Sequence, residues 1–160
     1  MSWTPAAVTR TCHLKAIAPG ADAKIRHVDS LRPLATALSS EPDVRLAAVF
    51  GSVTKGGLHR HSDIDIAVMG VPGPRLPGLA VALGRIARRE VDIVALETAS
   101  PLLRFEIARD GAVLLERTPH LWADFKARAM VDWWDWAPLA RRFGSAAMAR
   151  LRPQADHGPA

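Results

Sequence analysis

The chain has 160 residues, 49% of them hydrophobic, which suits one compact domain and excludes wholesale disorder. Its formal charge of +5 suits a phosphate-bearing ligand or an acidic partner, and its single cysteine, Cys12, excludes a disulfide framework or a thiolate metal cage. No apolar run approaches the roughly 18 residues that span a membrane, and Arg10, His13 and Lys15 lack the apolar stretch of a signal peptide, so the cytoplasm is the expected compartment.

Residues 1–26 hold no steady period and include Pro19-Gly20, a turn signal; they read as a loosely ordered extension or as the product of a start codon placed too far upstream. From Asp29 to about Ser39, Leu31, Leu34, Ala35 and Leu38 recur at spacings of three and four, which predicts an amphipathic helix with Pro33 in its first turn. Leu46-Ala47-Ala48-Val49-Phe50 reads as a buried strand running into Gly51-Ser52, and Val53 to Gly57 has room for one short helical turn. After a polar loop, Ile64, Ile66 and Val68 alternate with Asp63, Asp65 and Ala67, which predicts a strand with one apolar and one acidic face. Leu79, Leu83, Ile86 and Ala87 mark a helix with a basic end (Arg85, Arg88, Arg89), and Val91 to Leu96 is the next strand, carrying Asp92. Pro101 opens a helix that ends at Asp110-Gly111, and Ala112 to Leu115 is a short strand. Trp122, Phe125, Ala129, Trp133 and Trp136 form the aromatic stripe of a last helix, which Pro138 should kink or end before a second basic helix, Leu139 to Leu151, and a polar tail at 152–160. Residues 27–151 therefore read as one α/β (α+β) domain, a small mixed sheet flanked by helices.

Asp63 and Asp65, two apart on a strand, point to the same face. Two such carboxylates repel unless a cation or a proton intervenes, and Mg²⁺ takes hard oxygen ligands while sharing substrate phosphates. Asp92, closely flanked by Val91 and Ile93, is the candidate third ligand, a buried carboxylate that calls for a cation nearby. Gly51 lets the backbone approach a phosphate, and the Ser52 hydroxyl with the following N–H groups suits its oxygens. Alone, D-x-D is a common solvent face and Gly-Ser an ordinary turn; their order and spacing carry the signal.

Gly51-Ser52, ten intervening residues, then Asp63-Ile64-Asp65 resembles the G-S-x10-D-x-D signature of the minimal nucleotidyltransferases, in particular the MntA-like antitoxins of HEPN/MNT toxin–antitoxin pairs. The resemblance spans about residues 29–145 and takes in the Asp92 strand and the Ser100-to-Ile107 segment. It implies a DNA polymerase β-like nucleotidyltransferase fold and transfer of AMP from ATP, with Mg²⁺ in two sites, onto a tyrosine of a partner HEPN ribonuclease that is thereby silenced. Carried over by position, Gly51 and Ser52 would hold the triphosphate, Asp63 and Asp65 the metals, and Asp92 would complete the site and help deprotonate the incoming hydroxyl. Lys55 and Arg60 are further phosphate contacts to weigh against simple solvation.

A small-molecule (aminoglycoside-type) nucleotidyltransferase would share this core but usually carries a further helical domain, and little chain follows residue 116. A non-catalytic binding antitoxin is the reading from another class, and the intact carboxylate set argues against it. Arg152 and His157 match the HEPN spacing R-x4–6-H, but Pro153 lies between them and no helical period surrounds them. His59 and His61 lack a third ligand for a metal site, no Walker A motif occurs, and no aromatic-basic module points to nucleic acid. Trp134 or Trp136, with Arg141 and Arg142, is the expected contact with the toxin.

Overall fold

The computed structural model describes residues 28–54 and 63–151, with the side chains of 28–30 and 139–151 left aside. The expectations for the 1–26 extension, for Lys55, for His59, Arg60 and His61, for the Arg141 and Arg142 side chains and for the 152–160 tail fall outside these residues.

The elements follow in the order α1 (Val28–Ser40), β1 (Leu46–Phe50), a 3-10 turn (Gly51–Val53), β2 (Ile64–Met69), α2 (Leu76–Ala87), β3 (Val91–Ala95), α3 (Pro101–Asp110), β4 (Ala112–Glu116) and α4 (Leu121–Leu151). The sheet is mixed, in the order β3-β2-β1-β4. β1 runs antiparallel to β2 and β4, whereas β2 and β3 are parallel, as the crossover through α2 requires. A shift in register between Ala47 and Ala48 interrupts the β1–β4 ladder.

Both faces of the sheet are covered, so β1, β2 and β4 bury most of what they carry, and the edge strand β3 less. On one face Ile64, Ile66 and Val68 meet Leu31, Leu34 and Leu38 of α1 and Leu79 and Leu83 of α2. On the other, Leu46 and Ala67 meet Ile107 and Ala108 of α3 and Phe125 and Ala129 of α4. The acidic face expected of β2 is therefore acidic only at its start; beyond Asp65 it becomes core, with Ala67 fully buried. Each fully buried leucine here stabilises the fold by about 2 kcal/mol.

Ser100 caps α3, its hydroxyl accepting from the Leu103 N–H at 3.3 Å, and Pro101 occupies the first helical position. α4 packs against α3 through its aromatic stripe. Phe105 stacks on Trp133 (centroids 5.1 Å apart), Trp122 stacks on Phe125 (5.4 Å), and Arg104 pairs with Asp132 at 3.0 Å. Trp136 leans on Trp133 and is half-buried, while Trp134 is 75% exposed. Pro138 lies inside α4, which runs on to Leu151, so of the expected kink or end the end does not occur. The carbonyl it deprives of a donor is that of Trp134, on the exposed face, where water can serve it. Pro33 likewise lies inside α1 rather than in its first turn, because the helix begins at Val28.

One side chain ties the end of the sheet distant from Phe50. Arg117 donates to the carbonyls of Ser39 (2.8 Å), Glu41 (2.7 Å) and Val44, holding the α1–β1 connection against the end of β4.

Candidate active site

β1 delivers the chain to Gly51, which adopts φ +73, a conformation that only glycine enters freely. A Cβ at this position would overlap the Asp65 carboxylate and approach its Cγ to 3.1 Å. The turn backbone and the strand carboxylate are thus in contact, and the missing side chain is what permits it. Thr54 fixes the turn from beneath: it is buried, and its hydroxyl donates to the Gly51 carbonyl at 3.0 Å. Ser52 stands exposed in the turn, and its hydroxyl makes no hydrogen bond among the described residues.

Register assembles the rest. Phe50 pairs with Asp65 across β1 and β2, and Asp65 lies beside Asp92 across β2 and β3. Alternation sends Val91 into the core between the sheet and α1 and α2, which places Asp92 on the same face as Asp65. Asp63, immediately before β2, is exposed. Asp92 is exposed too, which corrects the expectation of a buried carboxylate: β3 is the edge of the sheet, so its apolar neighbours do not enclose it. The strained carboxylate is Asp65 instead. Burial, then Asp92, then Asp63 push its pKa above the ordinary aspartate value.

Among the described residues, no group of three or more His, Cys, Asp and Glu side chains forms a ready-made metal cage. Mg²⁺ ordinarily needs only one or two carboxylates, with water and substrate phosphates completing its shell. An edge of three carboxylates, one of them held above its normal pKa by burial and then by the other two, fits an ion that arrives with a phosphate. Among the described residues no helix is long and apolar enough to cross a membrane.

Thr54 and Phe50 were not singled out by the sequence motif. A threonine three residues after a turn glycine is a local signal for Thr54; the place of Phe50 opposite Asp65 emerges only from strand register.

A mixed sheet whose strand ends set a glycine-serine turn against adjacent carboxylates defines a nucleotide-transferring class of protein. The chain belongs to the polymerase beta nucleotidyltransferase family: the profile described as "Polymerase beta, Nucleotidyltransferase" matches residues 33–120, more than half of it. It is 28% identical over 123 residues to the protein adenylyltransferase MntA of Aphanizomenon flos-aquae (strain 2012/KM1/D3), covering 68% of this chain and 82% of that protein. Among solved structures it is similar to a chain of a toxin–antitoxin with AMP-PNP, with a TM-score of 0.66 and 24% identity over 75% of this chain and 98% of that one. It is also similar to a chain of the complex of tri-AMPylated Shewanella oneidensis HEPN toxin with MNT antitoxin (TM-score 0.61, 23% identity, 73% of this chain and 95% of that one). At these identities the two structures establish the fold.

Proposed function

We propose that this nucleotidyltransferase moves AMP from ATP onto a tyrosine of a HEPN ribonuclease toxin and so acts as its antitoxin in the cytoplasm. The observation that carries the reading is the direct contact between Gly51 and the Asp65 carboxylate, which brings a phosphate turn and an acidic edge to one place. The likeness to a protein adenylyltransferase supports the reaction, and the likeness to toxin–antitoxin complexes supports the partner.

In this reading the N–H groups of the turn and the Ser52 hydroxyl hold the triphosphate, and Lys55, which follows Thr54 in the sequence, is a further candidate contact. Asp63 and Asp65, with Asp92, would hold Mg²⁺. When bound, the metal neutralises charge on the phosphates and lowers the pKa of coordinated oxygens. Asp92, exposed at the sheet edge, is open to an incoming acceptor and takes the proton of its hydroxyl. The acceptor oxygen forms a bond to the α-phosphorus as the bond from that phosphorus to the bridging oxygen breaks, and pyrophosphate leaves.

Incubation with labelled ATP, Mg²⁺ and the cognate HEPN protein tests this. Label should appear on the HEPN protein and vanish with Asp63→Asn or Asp65→Asn; transfer that survives both substitutions refutes the mechanism. Label that goes to an aminoglycoside and never to protein would establish the small-molecule alternative.

A further inference from the structure

α4 has two apolar faces, and among the described residues only one of them packs against another element. Trp122, Phe125, Ala129 and Trp133 face α3 and the sheet. Roughly half a turn away, Ala127, Val131, Trp134 and Pro138 follow one another at spacings of four, three and four, all exposed. Val131 is 57% exposed and Trp134 75%, and Met130 on the flank adds 42%. That 3-4 alternation is the seam of a helix that packs along another helix. A solvated helix face has no reason to carry it, and large exposed apolar patches mark interaction sites.

The charges beside the seam say what covers it. Arg128 and Asp135 are exposed, seven residues apart, on the same flank of the seam, and neither forms an ion pair among the described residues. When two copies of such a helix pack antiparallel about a two-fold axis, each flank meets the same flank of its partner in reverse order. Arg128 then meets Asp135 of the partner subunit, and Asp135 meets Arg128 of the partner subunit. In the same register Val131 and Trp134 form the two central layers. A parallel pairing would set this flank against the opposite one, where Met130 lies, and would leave Arg128 and Asp135 without each other. The face is therefore complementary to itself, as an isologous dimer requires.

We propose that the exposed face of α4 is a homodimer interface in which two copies pack antiparallel through Val131 and Trp134, with orientation set by reciprocal Arg128–Asp135 pairs. The dimer does not rest on the transferase reading. The apolar seam supplies most of the affinity, and the rim charges select the arrangement.

Sedimentation equilibrium on the full chain tests it. The wild type should be a dimer, and Trp134→Ala should weaken self-association by about tenfold or more. Circular dichroism on each variant checks that the fold persists, as expected for substitutions at exposed positions. Arg128→Asp and Asp135→Arg should each weaken the dimer, whereas the double swap, or an equimolar mixture of the two single variants, should restore it. A monomer at every concentration, or a double swap that fails to rescue, overturns the proposal. So does a Trp134→Ala chain that still dimerises but no longer binds its HEPN partner, which would assign the face to that partner instead.

Discussion

At Gly51 a single methyl group separates a working site from a blocked one. Alanine there has to hold a left-handed φ and occupy space that the Asp65 carboxylate fills. Gly51→Ala should cost about 1–3 kcal/mol of stability and lower AMP transfer by about 100-fold, because the turn and the carboxylate are forced apart. Thermal melts and a labelled-ATP assay on the same preparation check both numbers. Asp65 is the opposite case, a residue kept against the interest of the apo fold. Its pKa is raised in the folded protein, so the native state holds that proton more tightly than the unfolded chain does. Its contribution to stability is thus most favourable below the unfolded aspartate value and is lost as pH rises through the raised one. Asp65→Asn should be more stable than wild type at neutral pH without metal, while losing activity. The advantage should shrink on acidification between those two pKa values, which urea unfolding at a series of pH values would show; a constant difference would contradict the sign.

Among the elements, the connection between α1 and β1 depends on one guanidinium. Arg117 donates to the carbonyls of Ser39, Glu41 and Val44, of which Glu41 also accepts from the Val44 N–H at 3.2 Å. Arg117→Met keeps the aliphatic stem and removes the donors, so it should cost about 3 kcal/mol, read as a lower urea midpoint at unchanged slope. Because Leu46 pairs with Glu116 at one end of β1 and Phe50 with Asp65 at the other, the transfer rate per folded molecule should stay near wild type. The strands and helices themselves were legible in the sequence because their periods are local. β2 shows this best: Ile64, Ile66 and Val68 alternate, and all three are buried on one face. Its second face was only half legible, since whether Ala67 meets water or α3 and α4 depends on elements that begin at Pro101 and Leu121, far along the chain. Pro138 misled for a related reason: the proline rule describes a lost hydrogen bond, and a helix anchored by Phe125, Ala129 and Trp133 tolerates that loss on its wet side.

For the whole molecule, the site and the fold are linked through binding. A nucleotide that brings Mg²⁺ to the acidic edge relieves the repulsion around Asp65 and binds only the native state. At a concentration 100 times its dissociation constant it should stabilise wild type by about 2.7 kcal/mol. The melting temperature should rise when ATP and Mg²⁺ are added together, and the rise should disappear in Asp63→Asn. Addition of EDTA should reverse it in wild type. A shift of equal size in the variant would place the nucleotide elsewhere on the surface.

The order of elements, the turn-and-carboxylate motif and its spacing follow from the sequence alone, because each depends on residues close together in the chain. So does the reading of Asp63 and Asp65 as partners, which strand periodicity imposes. Tertiary structure decided what depends on distant neighbours. Register set Asp92 beside Asp65, and an edge position left Asp92 open to solvent where its apolar flanks had suggested burial. Packing turned one face of α4 inward and left Trp134 on the other. Burial and facing charges are properties of the assembled sheet, so the raised pKa of Asp65 belongs to the fold and not to the motif that contains it.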